Sequence, residues 1–229
     1  MTTVKLIAAT QSFENSVVSY VDAPDDYEVN AEGIITYCAR VSNPANQNNK
    51  DIAGLLRYCM KHGHWSVFEM ANAVLEINTT RDIGRQLLRH RSFSFQEFSQ
   101  RYADPTKDLD FVLREARLQD TKNRQNSIET DDIALQAWWD AKQKFLIEYV
   151  KTTYAEAIEK GIAKEQARAI LPEGNTVSRL YMNGTLRSWI HFIELRSANG
   201  TQKEHQLVAQ ECAKVIAEIF PLTNEFVSQ

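Results

Sequence analysis

The chain has 229 residues but only three cysteines, Cys38, Cys59 and Cys212. They are odd in number, far apart and without a CxxC pair, which excludes the disulfide framework of a small secreted domain and points to a reducing, cytoplasmic setting. Positive charge is not in excess either. Against 30 Asp and Glu there are 26 Lys and Arg, a formal net charge of −4, so no global field draws the chain to nucleic acid or an anionic membrane. Any basic site must be local. No apolar run nears the roughly 20 residues a membrane span needs, and MTTVKLIAATQSFENS lacks the basic-then-apolar order of a signal peptide. Equally absent are a GxGxxG turn after a strand, a GxxxxGK[ST] loop, a GxSxG elbow and an HExxH pair. A nucleotide, if bound, is held some other way. With no repeat, no linker and 43% hydrophobic residues, the expectation is one soluble domain spanning 1–229.

What is present reads as a mixture of helices and a few strands. VKLIAAT and ANAVLEINTT have strand character, as does TVSRLYM, while the stretch from Asp22 to Asn30 reads as a loop. GIITYCARVS reads as a helix, as does the segment from Asp51 to His62, with Asp51 at its cap. From Thr80 to Arg91 the spacing predicts another helix, with Thr80 capping, Ile83 and Leu87 inward, and Arg81, Arg85 and Arg89 on one face. Residues 107–130 read as an exposed, charged excursion, a turn of helix or a lid. A long helix from about Asp131 to Lys160 follows, its aromatic residues spaced for core or subunit packing. Two helices, Leu186 to Ser197 and Thr201 to Phe220, close the chain. No regular βαβ alternation is visible, so the fold class is α+β with a small, mostly antiparallel sheet flanked by helices.

One stretch resists a plain structural reading. RHRSFSFQEFSQRY, residues 89–102, sets three arginines and a histidine among aromatic rings. Arginine is the remaining anion-binding tool, since its fork of donors matches phosphate oxygens and it stays charged when partly buried. Arg168, Arg179, Arg187 and Arg196 also sit in apolar sequence. Each needs an acid partner or an anionic ligand, because a buried unpaired guanidinium is very costly. For any one of them an ion pair is the ordinary explanation; for the group together with residues 89–102, a shared anionic ligand explains more. His62 and His64 lack the further ligands a metal site needs and read better as a surface for an aromatic ring. Ser99 reads as a hydrogen-bond donor rather than a nucleophile, and an extended backbone would put Glu97, Ser99 and Arg101 on one side.

RHRSFSFQEFSQRY resembles the signature of the flavin-dependent thymidylate synthases, Arg-His-Arg, about seven residues, then Ser, followed by x-Arg-Tyr. Arg89, His90 and Arg91 match the triplet, and Ser99, Arg101 and Tyr102 the remainder. KHGHWSVFE resembles the family's KHGHxTPFEH block, with Val67 for proline and Met70 for the last histidine. ARVS, ARAILP and HFIELR also correspond to family blocks, while TQKEH departs from AQxEI at Thr201 and His205. The resemblance implies a homotetramer whose active sites draw on several subunits. It implies conversion of dUMP to dTMP, with FAD as cofactor and methylenetetrahydrofolate and NADPH as co-substrates. FAD positions then fall on Ser66, Glu69, Arg89, His90, Arg91, Arg187 and His191, with His64 near the flavin ring and the folate. Those for dUMP fall on Gln86, Arg89, Glu97, Ser99, Gln100, Arg101, Arg168 and Arg196.

Uracil C5 is a poor nucleophile, and negative charge on the O2, N3, O4 system improves it. A guanidinium aimed at that edge stabilises the charge as it develops, and Arg196 is assigned this role. A hydride passed to the pyrimidine needs no protein nucleophile. The rival readings are a single-strand-binding module, against which the acidic net charge weighs, and a flavoprotein of this fold with altered activity.

Overall fold

The computed structural model describes residues 2–11, 31–46, 49 and 51–227, so the expected loop from Asp22 to Asn30 lies outside the described residues. The elements run β1 (Thr3–Ala9), α1 (Ala31–Ala39), α2 (Ile52–Lys61), β2 (Asn72–Thr80), α3 (Arg81–Leu87), β3 (Ser94–Glu97), α4 (Pro105–Asp108), β4 (Arg117–Gln119) and β5 (Ser127–Glu129). They continue with α5 (Ile133–Glu159), α6 (Lys164–Ala167), β6 (Val177–Thr185), α7 (Leu186–Ser197), α8 (Lys203–Ala217) and α9 (Asn224–Val227). The fold is α+β.

Strand order in the main sheet is β1-β2-β6-β3 and every pairing is antiparallel. Its register follows from side-chain alternation. Leu75 pairs with Met182 and Ile77 with Leu180, all four fully buried, so one face is core. On the other face Glu76 opposes Tyr181 and Asn78 opposes Arg179, and these pairs hydrogen-bond at 2.9 Å each. A slip of one residue would exchange the two faces, which is why the register is firm. Against the apolar face lie α7 and α8, burying Trp189, Ile190, Ile193, Val208 and Ile216. Each such side chain contributes roughly 1.5–3 kcal/mol of transfer free energy. Asp51 caps α2 by accepting from Gly54 N at 2.8 Å.

Several boundaries differ from the sequence expectation, each for a packing reason. The helix expected to reach Arg91 ends at Leu87, and the chain tightens into turns, His90 N donating to Leu87 O and Phe93 N to His90 O. The turns let Phe93 enter the core, with its ring 4.8 Å from that of Trp189. Arg89 is therefore off the helix and does not share a face with Arg81 and Arg85, which pair with Glu97 and Glu173. Thr80 flanks the helix, but its hydroxyl caps no backbone amide and donates instead to Asp82. Residues 107–130 hold the end of the α4 turn and then the β4–β5 hairpin, and Arg114 and Arg117 tie its approach to Glu204 on α8. Helix α5 buries only Gln143, Ile147, Val150 and Tyr154. Trp138, Phe145 and Tyr149 stay exposed. Among the described residues no helix is long and apolar enough to cross a membrane.

Candidate active site

Helix α7 sets out the centre of the site. Thr185 caps it by accepting from Ser188 N at 3.2 Å, and Leu186, Trp189, Ile190 and Ile193, at helical spacing, are fully buried. The Trp189 indole N–H donates to Ala73 O at 3.2 Å, which fixes the helix against the sheet. The rotation that buries this face turns Arg187 and His191 to one flank and leaves Arg196 in the last turn.

At that end, Arg196 Nε donates to His90 Nε2 at 2.9 Å. The His90 ring meets Phe192, one turn back along α7, edge-on at 5.0 Å. No carboxylate pairs with Arg196 among the described residues, although the guanidinium is half-buried. Burial, and then the nearby charge of Arg89, lowers its pKa. His90 is held down to about 4, first by burial and then by Arg196 and Arg89, so it is neutral and free to accept. Arg89 and Arg91 are exposed, and neither has a hydrogen-bonding or ionic side-chain partner among the described residues. Of the four arginines in apolar sequence, Arg179 and Arg187 are satisfied by Glu76 and Glu69, whereas among the described residues the Arg168 side chain has no partner and Arg196 has only a neutral one.

A second group lies along the flank. His191 meets Trp65 edge-on at 4.6 Å, and Arg187 reaches Glu69 from the same side of α7. His62 and His64 share a ring cluster with Tyr58, centroids 4.3 and 5.9 Å from it. Tyr58, four residues before His62 on the same helical face, was not singled out in the sequence; that spacing is the signal that could have found it. Ser66 is exposed nearby in the turn Trp65–Met70. No three His, Cys, Asp or Glu side chains gather to hold a metal among the described residues.

A third group follows β3. The extended run stops at Glu97, and Tyr102 N and Ala103 N both donate to Ser99 O at 3.1 Å. Glu97, Ser99 and Arg101 therefore do not line one edge. Glu97 accepts from Ser178 Oγ at 2.9 Å and pairs with Arg81. Ser99 Oγ accepts from Arg101 N, and Arg101 pairs with Glu165 at 3.4 Å, which ties this turn to the helix leading to Arg168. His90 is committed to Arg196 and makes no bond to Ser99, so no serine–histidine nucleophile is assembled. Gln100 is buried with its amide Nε2 unpartnered, a donor without an acceptor.

Gln86 belongs to a chain of side chains the sequence did not reveal. Its Nε2 donates to Gln202 Oε1 at 2.8 Å, Gln202 Nε2 donates to Glu204 at 2.9 Å, and Gln86 Oε1 lies 3.1 Å from His205 Nδ1. The block TQKEH carried the hint, though nothing in its spacing points across to α3. A cavity of about 220 Å³ opens beside this chain, lined by Arg114, Arg117, Lys203 and Glu204, and by none of the expected site residues. Of those residues, His64, Ser66, Glu69, Arg89, Arg91 and Arg101 are exposed, Gln100 is buried and the others are half-buried.

Fold and site together define an α+β protein that sets guanidinium groups without an acid partner among the described residues beside aromatic surface. The comparisons with known proteins agree. Residues 25–222 match the family described as thymidylate synthase complementing protein, and the chain belongs to this family, the flavin-dependent thymidylate synthases. It is 53% identical over 192 residues to a probable flavin-dependent thymidylate synthase of Paramecium bursaria Chlorella virus 1, covering 83% of this chain and 88% of that one. It is 50% identical over 197 residues to the flavin-dependent thymidylate synthase of Synechocystis, covering 86% and 89%. Among solved structures it resembles the UMP/dUMP methylase PolB of Streptomyces cacaoi bound with 5-Br dUMP, at TM-score 0.78 and 25% identity, covering 100% of this chain and 95% of that one.

Proposed function

We propose that this chain is a single-domain thymidylate synthase that methylates dUMP reductively to dTMP. In this reading methylenetetrahydrofolate is the carbon donor, NADPH the reductant and FAD the cofactor. The observation that carries the reading is the Arg196–His90 pair, a half-buried guanidinium resting on a neutral imidazole with no carboxylate to neutralise it. Such a partly desolvated charge favours an anionic partner. The relatives' names supply the anion's identity, and the PolB structure, with a bromouracil nucleotide bound, supports a uracil ring.

Arg196 keeps its Nη groups for the ligand because Nε is occupied by His90. A planar donor pair aimed at the uracil carbonyl edge stabilises negative charge as it builds on the O2, N3, O4 system, and C5 becomes the better nucleophile. Ser99, Gln100, Arg101, Gln86, Glu97 and Arg168 are assigned to the nucleotide. Ser99 holds a hydroxyl in its turn, and the unpartnered amide of Gln100 and the free guanidinium of Arg168 suit acceptor oxygens. Flavin chemistry fits the residues present. Exposed Arg89 and Arg91 offer donors for a pyrophosphate, and Trp65 and His191 form a wall beside Ser66, Glu69 and Arg187. His64 extends that wall toward the folate. When bound, FAD supplies the hydride that completes the methyl group, so the protein itself binds, orients and tunes charge.

A homotetramer with shared sites is part of this reading. Arg89, Arg91 and Arg101 are exposed in one chain, and a second subunit would enclose them. The free thiols of Cys38, Cys59 and Cys212 suit a cytoplasmic setting. The test is release of tritium from C5-labelled dUMP by purified, FAD-loaded protein supplied with methylenetetrahydrofolate and NADPH. Turnover supports the reading. A protein that retains no FAD and releases no tritium overturns it.

A further inference from the structure

Glu204 stands in the first turn of α8, and its carboxyl pKa is lowered: burial alone would raise it, but the Gln202 hydrogen bond and the charges of Arg114 and Arg117 outweigh burial. An ionised carboxylate only accepts. Gln202 must therefore turn its NH₂ to Glu204 and its carbonyl to Gln86, which in turn must donate from Nε2. Gln86 Oε1 is then left facing His205 Nδ1. Two acceptors cannot make that contact, so His205 carries its proton on Nδ1. The polarity of the whole chain is set by the charge at its far end.

His205 is fully buried, yet its Nε2 has no partner. It lies against the rings of Phe192 and His90, 5.8 and 6.1 Å away. An apolar side chain would fill this space without an unsatisfied nitrogen, and the family pattern, from which the TQKEH block departs here and at Thr201, has isoleucine at this position. Something must favour the imidazole, and its one hydrogen bond goes to Gln86. Burial, then the charges of Arg196 and Arg89 and the proximity of His90, hold the ring neutral down to about pH 3, so the tautomer persists wherever the protein is folded and working.

We propose that His205 is a positioning residue: its Nδ1–H holds the carbonyl end of the Gln86 amide, whose Nε2 end Gln202 already fixes, so that the second Gln86 N–H keeps its direction toward an oxygen of the bound nucleotide. This rests on the reading of Gln86 as part of the nucleotide site. Without this bond Gln202 still fixes which end of the Gln86 amide donates, but the carbonyl end is released and the amide swings about its Nε2 contact, so its second N–H loses its direction. His205→Leu removes the donor while keeping apolar volume; His205→Asn places an amide N–H near the position of Nδ1.

In FAD-loaded protein, His205→Leu should raise the dissociation constant and KM for dUMP about 5- to 10-fold, the effect of one hydrogen bond, with kcat within about 2-fold. His205→Asn should restore most of that loss. ¹⁵N spectra of histidine-labelled parent protein, taken without nucleotide, should show His205 protonated at Nδ1. Unchanged dUMP binding in His205→Leu, a loss that His205→Asn does not relieve, or an Nε2-protonated ring would each overturn the proposal. A parent protein that binds no dUMP would instead sink the nucleotide reading, and the spectrum still decides whether the Nδ1–H bond exists.

Discussion

Arg196 Nε donates to His90 Nε2 across 2.9 Å, a charged guanidinium held by a neutral imidazole rather than by an acid. A carboxylate in the place of His90 would neutralise Arg196 and cancel its effect on a bound pyrimidine. Neutral His90 fixes the plane of the guanidinium without spending its charge.

This relationship sets the first prediction. Arg196→Lys keeps a positive charge but can neither donate from Nε to His90 nor present a planar pair, so kcat should fall by about 10²–10³, the loss seen when a developing oxyanion loses a donor. Ser99→Ala should leave turnover largely intact and raise KM by roughly 5-fold, the weight of a hydrogen bond of about 1 kcal/mol. Steady-state kinetics on the two variants decide it. A dead Ser99→Ala beside a nearly normal Arg196→Lys would place the chemistry on the serine.

Acid should weaken the fold through His90 and His205. Both are held below the ordinary 6.5, to about 4 and about 3, chiefly by burial. Between those values and 6.5 the unfolded chain binds more protons than the folded one, so stability rises with pH across this window. Their contribution is complete above 6.5 and is lost as pH falls toward the folded values. Urea unfolding at several pH values should show this slope, reduced in His205→Leu by up to about one proton's worth. Equal slopes in parent and variant would exclude His205 as a source.

Helix α5 should bury its outer face against another copy of the chain. Trp138, Phe145 and Tyr149 recur at helical spacing and are 55%, 74% and 63% exposed. Sedimentation of the parent should give a tetramer, and the double variant Phe145→Glu, Tyr149→Glu should give smaller species. A parent that is monomeric and fully active at assay concentration rules out shared sites.

At Gly184 the space is taken. A Cβ there would lie 2.4 Å from the Phe93 ring, so Gly184→Ala must displace Phe93 and cost about 1–3 kcal/mol as overpacking. Thermal melting reads the loss. An unchanged melting temperature would mean that Phe93 can leave its place freely.

Much of this protein is written in local sequence. Period-2 alternation in ANAVLEINTT and TVSRLYM specifies strands with one buried face, and the spacing of Leu186, Trp189, Ile190 and Ile193 specifies α7, because these patterns need only neighbouring residues to be read. The blocks around Arg89–Arg91 and His64 carry the family membership for the same reason. What neighbours cannot specify is which charge meets which partner. Arg179 and Arg196 look alike in sequence, yet one pairs with Glu76 on the neighbouring strand and the other lies against His90, 106 residues away. The helix from Thr80 stops at Leu87 because Phe93 finds room over Gly184, and α5 leaves Trp138, Phe145 and Tyr149 exposed. The proton on His205 is set by a carboxylate reached only through Gln86 and Gln202, from two separate helices. Such choices depend on the balance of burial and charge between distant segments, and that balance exists only once the chain has folded.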